Sequence, residues 1–265
     1  MLGKRHPLIR RIRDLKRDPT LRRRERLYVA EGLHLALEAV RSSAAIESFV
    51  VSPRLSADDE GRELLGRLRG SGARVEETSD ETLESIQDAR SPQPVVGLLR
   101  FPADAGAAVR SVLAAAELVL VLDSIQDPGN LGSIVRSADA AGCDACFVIG
   151  RSADPLHPRA VRGAMGSVGR LWPRPAPSDE LFGALAASGH RVVGSDPHDG
   201  APYDAEDLTG RMALVLGGEA AGISRTARGR LTRTVRIPMR AGIDSLSVAA
   251  AGAVLLFEAA RQRRR

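Results

Sequence analysis

The sequence predicts an α/β protein: a small α/β unit in front of a larger one built on a mostly parallel sheet. Three observations carry this expectation. From residue 117 onwards, short apolar runs rich in β-branched residues alternate with helix-length stretches, as in parallel strands joined by crossovers. Two of the later runs, residues 212–216 and 235–237, break at once into glycine, proline and small polar residues. Open parallel sheets bind ligands in such loops, at the carboxyl ends of their strands. The front part alternates strands and helices on its own and ends in a small-residue stretch, residues 101–111, that reads as a linker. The expected domains are therefore residues 1–105 and 112–265.

The elements follow in order. A basic lead precedes a strand at residues 27–30, then an amphipathic helix at 33–41 and a strand at 46–51. A helix at 62–69, a strand opening at 74–75, a helix at 79–88 capped by Ser79 or Asp80, and a strand at 95–100 complete the front unit. In the second unit a buried strand at 118–122 leads through the polar turn 123–130 into a helix at 131–141 and a strand at 145–149. Residues 150–175 read as irregular and arginine-rich, with Arg159, Arg162, Arg170 and Arg174. Ser178 is expected to cap a helix to residue 188, before a strand at 191–194. After the strands at 212–216 and 235–237, an apolar helix runs from Leu246 to about Arg261.

Charge is unevenly placed. The chain has 265 residues, 43% of them hydrophobic, and a net charge of +5. Residues 1–26 hold eleven Lys/Arg against three acidic residues, a net of +8, so the remainder carries −3. A positive device on a near-neutral body suggests a polyanion partner. Only Lys4 and Lys16 are lysines; the other basic residues are arginines, whose planar fork suits phosphate. Arg10, Arg11, Arg13, Lys16, Arg22, Arg23, Arg24 and Arg26 are the expected nucleic-acid-binding set. The C-terminal Arg261, Arg263, Arg264 and Arg265 also complement a helix dipole. No stretch is long enough to span a membrane, and no secretory signal is visible. Cys143 and Cys146 lack two further zinc ligands nearby, so no metal is expected; they read as small core residues in a reducing, cytoplasmic setting.

The turn at Gly129 lacks the dinucleotide-binding G-x-G-x-x-G, so any adenosyl ligand is held another way. Three blocks of the second unit resemble the SpoU (TrmH-like) branch of the SPOUT RNA methyltransferases. They are D-P-G-N-L-G-S-I-V-R (Asn130, Gly132, Arg136), L-V-L-G-G-E-A-A-G-I-S (Gly217, Glu219) and I-P-M-R-A-G-I-D-S-L-S-V-A (Ile237, Ser245, Leu246). The resemblance covers residues 117–262. The front unit, with R-E-R-L-Y-V-A-E-G, is similar to the family's accessory domain, itself like small RNA-binding ribosomal proteins.

The resemblance implies 2′-O-ribose methylation of RNA from S-adenosylmethionine, most readily ribosomal RNA. It also implies a deep C-terminal trefoil knot, an exception to unknotted topology, and a homodimer that builds its site at the subunit interface. Arg136, Asn130, Glu219 and Ser245 are the implied catalytic group, and Gly217, Gly218, Ile237, Met239, Leu246 and Ser247 the implied cofactor cradle. Arginine is effectively always protonated, so two roles stay open for Arg136: stabilising developing oxyanion charge, or acting as a base in a strongly perturbed site. Asn130 is placed to cap its helix or to orient Arg136 or RNA. Glu219 either suits a helix N-terminus or pairs with an active-site arginine. His157 has no evident partner in sequence and is expected to face solvent or RNA. In one departure, Ser247 stands where the family usually has Asn, and Ala249 replaces a common serine. A tRNA enzyme and a non-catalytic RNA binder are the alternatives.

Overall fold

A computed structural model describes residues 1–42, 45–88 and 91–264; Arg265 lies outside them. The chain divides into two compact units, Met1–Ala103 with Leu156–Gly169, and Asp104–Pro155 with Arg170–Arg265.

The first unit opens with helices α1 (Pro7–Arg17) and α2 (Pro19–Glu25), where the sequence suggested only a basic lead. The helices form because apolar residues recur at helical spacing beneath the arginines: Ile9, Ile12 and Leu15 are fully buried. Asp18 ends α1 and caps α2, accepting from the N–H groups of Thr20 and Leu21 at 2.7 and 3.2 Å. Then come β1 (Leu27–Glu31), α3 (Leu33–Arg41), β2 (Ile46–Val51), α4 (Asp59–Gly70), β3 (Arg74–Glu77), α5 (Asp80–Glu84) and β4 (Val95–Arg100). The sheet runs β1-β4-β2-β3, with β2 and β3 parallel and the other pairs antiparallel. Ser79 is the α5 cap.

Two of the expected RNA contacts do not reach the surface. Lys16 is buried, its Nζ 2.6 Å from Glu31 and 3.0 Å from Asp88. Arg22 is 2% exposed and donates to the carbonyls of Leu15 and Lys16 at 2.5 and 3.0 Å. A charge is buried only when paired or hydrogen-bonded, and both cations are consumed in that way.

The second unit holds α6 (Val109–Ala115), β5 (Leu118–Asp123), α7 (Pro128–Ala141) and β6 (Ala145–Ile149). The supposed linker thus runs into α6. Asp127, not Asn130, caps α7: it accepts from the Asn130 N–H at 2.9 Å, Pro128 occupies the first turn, and Gly142 ends the helix at φ 81. Residues 150–175 are not irregular. They contain α8 (Pro158–Ala164), α9 (Ser167–Arg170) and β7 (Pro173–Pro175). His157 caps α8, its Nδ1 accepting from the Arg159 N–H at 3.1 Å, so its ring has a structural task. Such short helices owe their stability to packing rather than propensity; Pro158 at the first position of α8 was a local signal.

The chain continues with α10 (Ser178–Ala187), β8 (Arg191–Ser195), β9 (Ala201–Pro202), β10 (Met212–Gly217), α11 (Arg225–Arg228), β11 (Arg233–Arg236) and α12 (Val248–Arg263). Ser178 is the first helical residue of α10, and no side chain caps it. The sheet order is β7-β6-β5-β10-β8-β11-β9, every neighbouring pair parallel. A parallel sheet covered on its faces needs continuous apolar strands, and β5 is buried along its whole length. Cys146 lies fully buried in β6, and burial pushes the half-buried Cys143 thiol up to about 12. Among the described residues no helix is long and apolar enough to cross a membrane.

Candidate active site

The carboxyl ends of β10 and β8 and the loop after β11 surround a cavity of about 550 Å³, a size typical of small-molecule sites. The strand order places β5 and β8 on either side of β10, so loops from several strands end together.

The β10 loop is built on close backbone approach. A Cβ at Gly217 would fall 2.2 Å from the Gly222 carbonyl carbon and the Ile223 nitrogen, and one at Gly218 2.4 Å from the Ser124 oxygen. Only glycine fits at either position. The loop closes as the Gly222 N–H donates to the Gly218 oxygen at 2.8 Å, with Gly222 at φ 62. This leaves bare backbone against the cavity. Gly217, Gly218 and Glu219 line one wall; Ile237 and Met239 line another; Ser245, Leu246 and Ser247 close it.

Asn130 is brought to the same place from α7: its Nδ2 donates to Glu219 Oε1 at 2.5 Å across 89 residues of chain. Neither residue fills the helix-terminus task that sequence alone offered it. Arg136 is not brought in. It sits exposed on α7, does not line the cavity, and has no partner among the described residues.

Ser247 is the N-cap of α12, its Oγ accepting from the Ala250 N–H at 3.2 Å. The helix therefore starts at Val248 rather than Leu246. The cap explains why serine can stand where asparagine is usual, because both are strong N-caps. Ser247→Ala should lower stability by ~0.5–2 kcal/mol, with Ser247→Asn close to the parent; denaturant melts of the three proteins check this. Equal midpoints for parent and alanine variant would rule out the cap as a stabilising contact.

Several residues at the site carried no sequence signal strong enough to single them out. Asp196, after β8, lines the cavity and pairs with Arg228 at 3.0 Å. Burial alone would raise its pKa, but the His198 N–H, the Arg228 guanidinium and the Asp199 N–H outweigh this and hold the carboxyl below its usual range. The Pro/Asp/Gly loop at a parallel strand end was the available clue. Asp123, wholly buried at the end of β5, accepts from the Ser224 N–H at 2.7 Å and from Ser124 Oγ at 3.1 Å. It ties the far end of the β10 loop to the sheet. Ser124 itself is left-handed at φ 60, and a Cβ at Gly150 would lie 2.4 Å from its Oγ.

The chain is similar to known proteins over nearly its whole length. Residues 117–257 match the SpoU rRNA Methylase family, and residues 6–97 match the MRM3-like substrate binding domain. The chain is 28% identical over 251 residues to the 23S rRNA (guanosine(2553)-2'-O)-methyltransferase RlmP of Bacillus subtilis, covering 93% of this chain and 94% of the relative. It is 31% identical over 242 residues to the 23S rRNA (uridine(2479)-2'-O)-methyltransferase of Streptomyces viridochromogenes, covering 89% and 83%. The crystal structure of an AdoMet-bound rRNA methyltransferase from Sinorhizobium meliloti superposes with a TM-score of 0.84 at 28% identity, over 98% of this chain and 97% of that one. With the match at 117–257 spanning more than half its length, the chain belongs to the SpoU rRNA methylase family.

Proposed function

We propose that this protein transfers a methyl group from S-adenosylmethionine to a ribose 2′-hydroxyl of ribosomal RNA. One observation carries the reading: two blocks far apart in sequence line one cavity, and the third is joined to its wall by the Asn130–Glu219 hydrogen bond. The cavity suits the cofactor. Its glycine loop exposes backbone polar groups, and Leu216, Ile237, Met239 and Leu246 supply apolar wall. With Asp196 paired to Arg228, Glu219 and Asp244 leave the lining net negative, which favours a cation there. When bound, S-adenosylmethionine supplies an electrophilic methyl on its sulfonium.

The residues of the chain position the nucleophile. A ribose hydroxyl is a weak acid, so it must be placed in line and its developing negative charge stabilised. Glu219 fixes the Asn130 amide, and a permanently charged guanidinium suits the oxyanion. That role falls to Arg136, which stands outside the cavity of its own chain. A homodimer accounts for this, with Arg136 serving the partner's site. An apolar stripe on α12 supports the dimer: Ala250 and Phe257 are exposed, with Ala253 and Val254 half-buried between them, and Ile243 and Leu246 lie exposed in the preceding loop. The front unit, residues 1–105, holds the RNA, and such a substrate implies a cytoplasmic enzyme. The deep knot belongs to the same reading.

The test is calorimetric titration with S-adenosylmethionine, followed by transfer of its labelled methyl to 23S rRNA and to tRNA. Saturable cofactor binding with label on ribose 2′-oxygens of rRNA is expected. Absence of cofactor binding, or label on tRNA alone, would overturn the reading.

A further inference from the structure

The +8 of the first 26 residues is not one undivided patch. Five of its eleven basic residues are engaged in holding the fold. Lys16 and Arg22 are the buried pair described above. Arg11 bridges Glu25 at 2.6 Å and Glu47 at 2.5 Å, and Lys4 pairs with Glu81 at 2.6 Å. Arg26 donates to the Pro102 carbonyl at 3.2 Å and lies over the Phe101 ring at 5.6 Å. Arg5, Arg10, Arg13, Arg17, Arg23 and Arg24 make no hydrogen bond or ion pair among the described residues, and of them Arg24 acts through space on Asp18.

Three of these six share one face. Arg10, Arg13 and Arg17 stand at i, i+3 and i+7 on α1, on the flank beside the buried Ile9, Ile12 and Leu15, with Arg13 half-buried. They span ~10 Å along the helix. Each end of the row opens into a recess. Arg10 borders one with Arg11, Arg24, Asp14 and Glu25; Arg13 and Arg17 border another, of about 280 Å³, with Lys16, Asp88, Ser85 and His157, where Asp88 is already paired with Lys16. The second recess is shaped by the Leu156–Gly169 segment, which belongs to the first unit although its sequence comes from the second half. Arg162 of that segment bonds Glu31 at 3.3 Å, and Glu31 in turn pairs with the buried Lys16. The row thus stands on an internally neutralised base, and its own charges are left over. Of the acidic residues beside the row, Asp88 pairs with Lys16 and Glu25 with Arg11, and Asp14 against three arginines leaves the face net positive.

We infer that Arg10, Arg13 and Arg17 form a phosphate-binding row for the RNA backbone, and that Arg11, Lys16, Arg22 and Arg26 are scaffold. The inference rests on the RNA substrate of the proposed function. Unpaired arginines in a row fit a repeating polyanion, because each guanidinium can fork onto a phosphate and release its counterions. Solubility alone would not require one face, since dispersed charges serve it equally well.

The experiment compares the full chain with R10Q/R13Q/R17Q, R10K/R13K/R17K and a control, R62Q/R67Q/R69Q. The control removes three exposed arginines of the same unit that are paired with Asp59, Glu63 and Glu77. Binding to a 20-nucleotide single-stranded RNA is measured from 50 to 200 mM salt. The glutamine row variant should bind roughly tenfold or more weakly, with the salt slope lowered by about 2, near 0.7 per lost contact. The lysine variant should keep most of the slope, and the control should match the parent. Melting midpoints of the row variants should match the parent, because the row arginines hold nothing in the fold and glutamine is a good helix former. Unchanged affinity and slope in the glutamine variant, or an equal loss in the control, would overturn the row. A parent that binds RNA through the row but transfers no methyl would instead refute the catalytic reading alone.

Discussion

Arg136→Ala should lower methyl transfer by roughly 10²–10³, the usual effect of deleting one oxyanion donor, while S-adenosylmethionine affinity stays within a few-fold. The two readouts separate because Arg136 lies on the exposed face of α7 and touches none of the cavity wall. Folding should be unaffected, since the side chain has no partner among the described residues to lose. Arg136→Lys should recover little, because an ammonium does not reproduce the planar fork. Single-turnover rates with labelled cofactor and titration of cofactor binding measure both. Near-parental turnover in either variant would remove Arg136 from the mechanism. Mixing the alanine variant with a cofactor-deficient variant carries the argument further. If Arg136 serves the partner's cavity, mixed dimers regain activity that neither parent variant has. Sites contained within one chain give no recovery.

Gly217→Ala is the natural cofactor-deficient partner in that mixture, and its own effect should be large. The added methyl falls 2.2 Å from backbone of Gly222 and Ile223, which cannot rotate away as a side-chain tip would. Overpacking of this kind typically costs ~1–3 kcal/mol. The strain falls on a loop held at its near end by β10 and at its far end by the Asp123–Ser224 bond, so the turn between them must move. That turn is the cavity wall at Gly218 and Glu219. S-adenosylmethionine affinity should therefore drop roughly 10- to 100-fold, which is 1.4 kcal/mol for each tenfold. Gly183→Ala is the matched control. Its Cβ in α10 would meet nothing within 4 Å, so it should leave cofactor affinity alone and add helix propensity. Calorimetry on both variants decides the matter; parental affinity in Gly217→Ala would show that the loop does not grip the ligand.

What the amino-acid sequence by itself determined is local. The helix Leu33–Arg41 and the strands Ile46–Val51, Val95–Arg100 and Ala145–Ile149 stand where the periodicity placed them, because an apolar pattern of the right length has one way to bury itself. The alternation after residue 117 required a parallel sheet, and the glycine block at 217–222 required close backbone passage. Tertiary structure alone decided which charges are free. Lys16 and Arg22 read like their neighbours in sequence, yet Lys16 meets Glu31 from β1 and Arg22 folds back on the end of α1. Helical spacing puts Lys16 on the buried face of α1, seven residues after Ile9, but does not say what it meets there, and nothing along the chain separates Arg22 from Arg23 or Arg24. Asp123, Asp196 and Arg228 escaped for the same reason: their partners lie 101 residues from Asp123 and 32 from Asp196. Likewise Asn130 became a partner of Glu219 only once strand order had brought their loops together, whereas the Ser247 cap is local, three residues from Ala250. Periodicity reports which face of an element is buried, but the identity of what covers that face belongs to contacts made across the sequence, and the chemistry of this site is written in those contacts.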